Sequence, residues 1–200
     1  MSREKAGRRL KPMYLILVEG NTERIYFEEL WNCNPRPGFT IKLKKAKHGN
    51  PGPLVQEAMR ERAEGVYNFI WCVYDCDVFQ YSDMKSFEII YKKAVKEGIQ
   101  FAESMPSIEA WFVLHYQKPQ KFYQGKDGVI KDLQKYIPDY CKEQRWQEKN
   151  LYSSLKSRQH DAFLNVKSFE LISHKNQDSS TSIHKLVKIF ISGSPEDETP

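Results

Sequence analysis

An apolar strand runs into a helix at Leu17-Val18-Glu19-Gly20-Asn21-Thr22, so that the carboxylate of Glu19 stands at the junction. The residues at 14–18 are apolar and β-prone, and 22–31 is typical of a helix that ends before a proline-rich turn. The same alternation then recurs. Further strands are predicted at 39–45, 68–75 and 99–103, and further helices at 53–64, 83–97 and 106–116. Since parallel neighbours need crossover connections, the sequence predicts a doubly wound α/β domain with a mainly parallel sheet over residues 12–116.

The second half of the chain has a different pattern. From residue 117 onward the strand signal fades, and the segments 128–138, 146–172 and 181–191 have helical periodicity with a polar bias. We therefore expect a helical C-terminal appendage over 117–192 that packs on the sheet domain. The tails at 1–11 and 193–200 are expected to be flexible.

Composition limits the class of protein. A chain of 200 residues with 40% apolar content is long enough for one sizeable core. No apolar stretch approaches the roughly 20 residues of a membrane span, so we expect a cytoplasmic protein without membrane contact. The four cysteines lack the paired spacing of a zinc site, which favours free thiols.

A second acidic motif, Tyr74-Asp75-Cys76-Asp77, ends the apolar run at 68–75. In open α/β sheets, ligands bind beyond the carboxyl ends of the strands, where Glu19 also lies. Asp75 and Asp77 share one face of the strand because side chains alternate, and Cys76 points the other way. Carboxylates brought together in this way repel one another unless a cation lies among them, and Mg²⁺ prefers oxygen ligands. The two motifs together predict a divalent-metal site.

Each motif alone also has a structural explanation. A glutamate at a strand-helix junction is most often solvated or a favourable charge at a helix N-terminus, and Asp-x-Asp can belong to a turn. Glu23 lies in the first helical turn, where it is equally well explained as a structural charge or as an outer ligand. Glu109 lies in a stretch that is apolar nearly all round, so its charge needs a partner, either the metal site or a basic side chain.

Basic residues cluster in the first half of the chain, although the net charge is only +5. One cluster lies at 3–11 and the other follows the second predicted strand. The second cluster would give sequence-independent contacts to phosphates of nucleic acid. A lysine-rich edge strand that limits aggregation explains it equally well. Its candidate nucleic-acid-binding residues are Lys42, Lys44, Lys45, Lys47 and His48.

Four segments carry a resemblance to a known family. They are Val18-Glu19-Gly20-Asn21-Thr22-Glu23, Tyr74-Asp75-Cys76-Asp77, Ser104-Met105-Pro106-Ser107-Ile108-Glu109-Ala110-Trp111, and Ser179-Ser180-Thr181 before Ile183-His184-Lys185-Leu186-Val187. Together they resemble the RloB family of prokaryotic proteins linked to restriction and abortive-infection loci, over about 13–191. The first two also resemble the motifs of TOPRIM domains. The chain departs from the family at Met105-Pro106-Ser107, where relatives tend to carry Asn-Pro-Cys, and at Asp178-Ser179-Ser180-Thr181, where they carry Asn-Pro-Ser-Thr.

The resemblance implies a TOPRIM-like sheet, Mg²⁺ or Mn²⁺ held by Glu19, Asp75 and Asp77, and hydrolysis of phosphodiester bonds in DNA or RNA, tRNA included. It also implies a role in antiviral defence. Carboxylate-bound metal suits this chemistry, with Glu19 as general base or as a further ligand. A partner ATPase, another defence subunit and a homo-oligomeric state are left open.

Other functions compete with the nuclease. A non-catalytic nucleic-acid-binding or sensor subunit would keep the fold without turnover, and a small phosphohydrolase would use the same acids. Asp75-Cys76-Asp77 resembles the nucleophile motif of haloacid dehalogenase-type phosphatases, but that motif belongs on the first strand and continues to Thr or Val, where this chain has Phe79. A response-regulator receiver would need a lysine at the end of its last strand, and none is evident.

Overall fold

The computed structural model describes residues 11–34, 38–76, 84–118, 123, 125–173 and 180–193. Asp77 and most of the two tails lie outside these residues. The strands are β1 (Met13–Val18), β2 (Thr40–Lys45), β3 (Phe69–Asp75), β4 (Ile99–Met105) and β5 (Ser180–Thr181). The α-helices are α1 (Asn21–Cys33), α2 (Pro51–Glu64), α3 (Met84–Lys96), α4 (Glu109–Val113), α5 (Lys126–Leu133), α6 (Gln144–Leu155), α7 (Gln159–Ser173) and α8 (Ile183–Ser192).

The strands form one sheet in the order β2-β1-β3-β4-β5. The first four are parallel neighbours, as the alternating pattern predicts, and the α/β class with a mainly parallel sheet is confirmed. β5 runs antiparallel to β4, with Thr181 opposite Ser104. In the centre of the sheet, Val18 of β1 pairs with Val73 of β3, so both strands end at the same edge.

The two faces of the sheet have separate cores because strand side chains alternate. Tyr14, Ile16 and Val18 of β1 point into the larger core, which α1, α4 and helices of the C-terminal half cover. Leu15 and Leu17 point into the smaller core, which α2 and α3 cover. Strands buried on both faces read as continuous apolar runs, and this is why β1 and β3 were evident in the sequence.

The C-terminal half shares the larger core with the sheet. Val129 of α5, Leu151 of α6 and Leu186 of α8 belong to the same cluster of buried side chains as the strands. A separate boundary at 116/117 stays a prediction, but the two halves have a common interior in the described residues. No helix among these residues is long and apolar enough to cross a membrane.

Candidate functional site

The ends of β1 and β3 bring Glu19 and Asp75 together. The Asp75 backbone N–H donates a hydrogen bond to Glu19 Oε2 at 3.0 Å. The Glu19 N–H in turn donates to the carbonyl oxygen of Val73 at 3.0 Å. The register of the two strands therefore holds the Glu19 carboxylate against the last residue of β3.

Asp75 is also held from the other side of the site. Its Oδ1 accepts a hydrogen bond of 2.8 Å from the backbone N–H of Ile108, just before α4. Burial raises the pKa of Asp75 well above its ordinary value, and the negative charges of Glu23, Glu109 and Glu19 raise it further. The positive charge of Lys142 acts in the opposite direction. Asp75 is therefore fixed in position, and the described residues around it disfavour the charged form of its carboxylate.

Glu23 lies in the first turn of α1 and is nearly buried, with 4% of its surface exposed. Its Oε2 has no hydrogen-bond partner in the part of the chain that the structure describes. A Cβ atom on Gly20 would lie 2.6 Å from this oxygen, so a larger residue here would displace the Glu23 carboxylate. Burial raises the pKa of Glu23 to about 7, against a hydrogen bond from its backbone, and the charges of Glu109 and Glu19 add to the rise.

Glu109 is fully buried and well satisfied. It accepts hydrogen bonds from Ser107 Oγ and from the Tyr140 hydroxyl, both at 2.6 Å. Lys142 Nζ lies 3.0 Å from its Oε1. Burial alone would raise the pKa of Glu109, but Lys142 and the two hydroxyls together hold it below its ordinary value. The sequence left the partner of Glu109 open, and the structure gives it as Lys142.

The C-terminal half adds a third polar side chain near the same edge. Gln147 of α6 is 1% exposed and donates from Nε2 to Thr22 Oγ1 at 3.1 Å. Its Oε1 has no partner among the described residues. Sequence reasoning missed Tyr140, Lys142 and Gln147. The only available signal was that Glu109 required a partner, and nothing local selects one among 31 lysines and arginines.

The donor set suits a hard divalent cation in chemistry, because it consists of carboxylate oxygens. Among the described residues, Glu23 Oε2 has no hydrogen-bond partner and Asp75 has a raised pKa, as expected where buried carboxylates lie together without a cation. In the described ranges, which leave out Asp77, no three His, Cys, Asp or Glu side chains converge closely enough to hold a metal ion. Glu19 and Asp75 are thus brought together, and the place of Asp77 beside them stays a prediction.

The basic residues of β2 and the following turn fall into two groups. Lys44 Nζ lies 2.9 Å from Glu57 Oε1 and 2.6 Å from Glu61 Oε1, so its charge is already paired within the fold. Lys45 Nζ donates to Asn21 Oδ1 at 3.1 Å. The exposed members of the set are Lys42, Lys45, Lys47 and His48.

The exposed group starts beside the acids. Lys45 pairs in register with Val18, the residue before Glu19. The Ala46 N–H continues this pairing with a 2.9 Å hydrogen bond to the Val18 carbonyl. The segment at 45–48 therefore leaves the sheet at the same edge as Glu19 and Asp75.

Comparisons with known proteins identify a family for this chain. The family described as RloB-like protein matches residues 14–190. No curated protein and no solved structure matches the chain.

Proposed function

Because this chain belongs to the RloB-like protein family, and because its acids gather where its parallel strands end, we propose that it is a metal-dependent nuclease. It hydrolyses phosphodiester bonds of DNA or RNA, tRNA included, in prokaryotic antiviral defence, and its sheet is TOPRIM-like. The observation that carries the proposal is the excess of negative charge around Asp75. Burial raises the pKa of Asp75, and three neighbouring glutamates raise it further. Such perturbed groups cluster at functional sites.

Glu19, Asp75 and Asp77 would hold Mg²⁺ or Mn²⁺. When bound, the ion polarises a phosphoryl oxygen, acidifies an attacking water and stabilises the leaving oxygen. The chain's own groups set the geometry: the Asp75 amide orients Glu19, and the Ile108 amide orients Asp75. The Glu19 carboxylate can also accept a proton from water at the edge of the sheet.

Metal binding has a readout that does not need turnover. A ligand selective for the native state raises its stability by mass action, so millimolar Mg²⁺ or Mn²⁺ should raise the melting temperature above its value in EDTA. The rise should be lost in Asp75→Asn. An equal rise in wild type and variant would place the ion elsewhere.

The location of the exposed basic residues supports nucleic acid as the substrate. The segment at 45–48 begins next to Glu19, so a polyanion lying over the acids would pass Lys45, Lys47 and His48. Such contacts are independent of sequence and weaken as salt rises. Lys42 would extend this path along β2. Lys44 would contribute least, because Glu57 and Glu61 already pair with it.

Purified protein incubated with labelled single- and double-stranded DNA, tRNA and total RNA tests the activity. Cleavage of at least one substrate is expected with Mg²⁺ or Mn²⁺ and not with EDTA. Glu19→Gln keeps an acceptor for the Asp75 amide and should abolish cleavage. The matched control is Glu88→Gln on α3, which removes an exposed glutamate paired with Lys92 and should cleave as wild type does. A partner ATPase or another defence subunit, if required, would be added to the same assay.

A non-catalytic nucleic-acid-binding or sensor subunit is the second candidate. Glu19 and Asp75 each accept a backbone N–H, which gives both carboxylates a structural role independent of turnover. If all four substrates stay intact in both metals, with any proposed partner present, while nucleic acid still binds, this function replaces the nuclease.

A further inference from the structure

Lys142 lies between a buried acid and solvent. Its Nζ is 3.0 Å from Glu109 Oε1, and the Glu109 side chain is 0% exposed. The Lys142 side chain is itself 46% exposed. An ammonium has three donors, so the contact with Glu109 leaves donors directed away from the buried carboxylate.

Glu109 fixes the position of this ammonium. Two hydroxyls, from Ser107 and Tyr140, donate to the carboxylate at 2.6 Å and hold Glu109 in place. Glu109 follows Ile108, whose amide donates to Asp75 Oδ1 at 2.8 Å. A short, hydrogen-bonded path therefore ties Lys142 to Asp75. The charge of Lys142 opposes the rise that burial causes in the pKa of both Asp75 and Glu23, which is consistent with this proximity.

We infer that Lys142 binds a nonbridging phosphate oxygen of the substrate beside Asp75, and thus that the C-terminal half completes the site. This rests on the proposed nuclease function, because the anion is the phosphodiester that the acids would act on. A phosphate approaching several carboxylates needs a positive charge held in place before it arrives. Lysine supplies such a point charge for phosphates. Lys44 is unsuited to this role, since two glutamates already engage it.

The primary experiment measures binding rather than cleavage. The dissociation constant of a labelled single-stranded RNA or DNA oligonucleotide is determined in EDTA over a range of NaCl concentrations. Lys142→Met should weaken binding and reduce the slope of log K against log[salt] by about 0.7, the loss of one phosphate contact to a single strand. Lys142→Arg should keep most of the slope. Lys135→Met is the matched control, because Lys135 is also an exposed lysine paired with a buried acid, 2.7 Å from Asp132. The salt slope of this variant should equal that of wild type.

A double variant separates phosphate binding from a structural role. Lys142→Met leaves Glu109 without its cation, and Glu109→Gln removes the charge while keeping an oxygen for Tyr140. If Lys142 binds phosphate, the double variant regains stability but its salt slope stays low. A wild-type slope in Lys142→Met, recovery of the slope in the double variant, or no nucleic-acid binding by wild type would each overturn the inference. Absence of cleavage by wild type, with a reduced slope in Lys142→Met, would defeat the nuclease and leave the phosphate contact standing.

Discussion

Two clusters in this molecule each combine one lysine with several carboxylates, but the lysine is paired differently in each. Around Lys44, both Glu57 and Glu61 lie within 3 Å of the ammonium. Around Lys142, Glu109 is the only carboxylate among the described residues that makes an ion pair, at 3.0 Å. Asp75 interacts with this lysine only through its electrostatic effect on the Asp75 pKa. The number of acids is therefore a poor sign of function, and the way they are paired is a better one.

The pKa values of the carboxylates shift in opposite directions in the two clusters. Lys44 and the Lys47 amide overcome the effect of burial and lower the pKa of Glu57, so this carboxylate is ionised and structural. In the other cluster, burial and like charges raise the pKa of Asp75 and Glu23. Replacing Glu57 by a neutral residue should therefore lower the free energy of unfolding. Neutralising Asp75 or Glu23 should raise it.

The largest expected effect is on activity. Asp75→Asn keeps an oxygen for the Ile108 amide and removes a charge that its neighbours oppose. We expect cleavage to fall on the order of 10³-fold or more, the scale for loss of a single essential group, with an unchanged or higher melting temperature. Asp127→Asn, in the first turn of α5, is the exposed control. If Asp75→Asn loses activity only because it unfolds, then Asp75 has a structural role like that of Glu57, and the proposed difference between the two clusters is wrong.

The next effect is on stability at Glu109. Glu109→Ala removes the acceptor of two buried hydroxyls and the partner of Lys142, and should lower the free energy of unfolding by about 3 kcal/mol. Glu109→Gln should cost less, because its amide oxygen still accepts from Tyr140. Urea denaturation measures both values. A loss below 1 kcal/mol in the alanine variant would mean that this acid does not anchor the site.

Glu23 should show a pH dependence of unusual sign. Its folded pKa of about 7 lies above the ordinary 4.5, so the folded state holds a proton that the unfolded state has lost between these values. The associated stability is present below pH 4.5 and is lost as the pH rises through 7. In EDTA, Glu23→Gln should therefore raise the free energy of unfolding at pH 8 by about 3 kcal/mol relative to wild type and leave it nearly unchanged at pH 4. Denaturation curves at the two pH values would settle this.

The sequence predicted those parts of the fold that have a clear local pattern of apolar and polar residues. The apolar runs of β1 and β3 end in Glu19 and Asp75, and a parallel sheet then brings these ends together. β5 was missed because two residues, Ser180 and Thr181, are too short to show a period. The single helix expected at 146–172 is divided by a 3₁₀ turn at Lys156–Arg158, where no glycine or proline marks the break.

The partners of the site required three-dimensional information. Lys142 lies 33 positions after Glu109 in the chain, on a segment that reads only as polar. The sequence also does not show that Gly20 leaves space for Glu23. Gly20 has an extended backbone with φ of −124°, which any residue can adopt. A larger residue at position 20 would meet the Glu23 side chain, which lies one helical turn away.

The smallest effect should be at Lys44, and it has the opposite pH dependence to that of Glu23. Lys44→Met removes the ammonium from Glu57, which is 6% exposed, and from Glu61, while the Lys47 amide still donates to Glu57 at 3.2 Å. The partly exposed pair should contribute about 1 kcal/mol at pH 7. Since the pKa of Glu57 is lowered from 4.5, this contribution is present above pH 4.5 and is lost as the pH falls through the folded value. Wild type and variant should therefore differ in urea midpoint at pH 7 and converge in acid, with nuclease activity retained. A Lys44→Met protein that folds stably but no longer binds nucleic acid would instead place Lys44 on the substrate path.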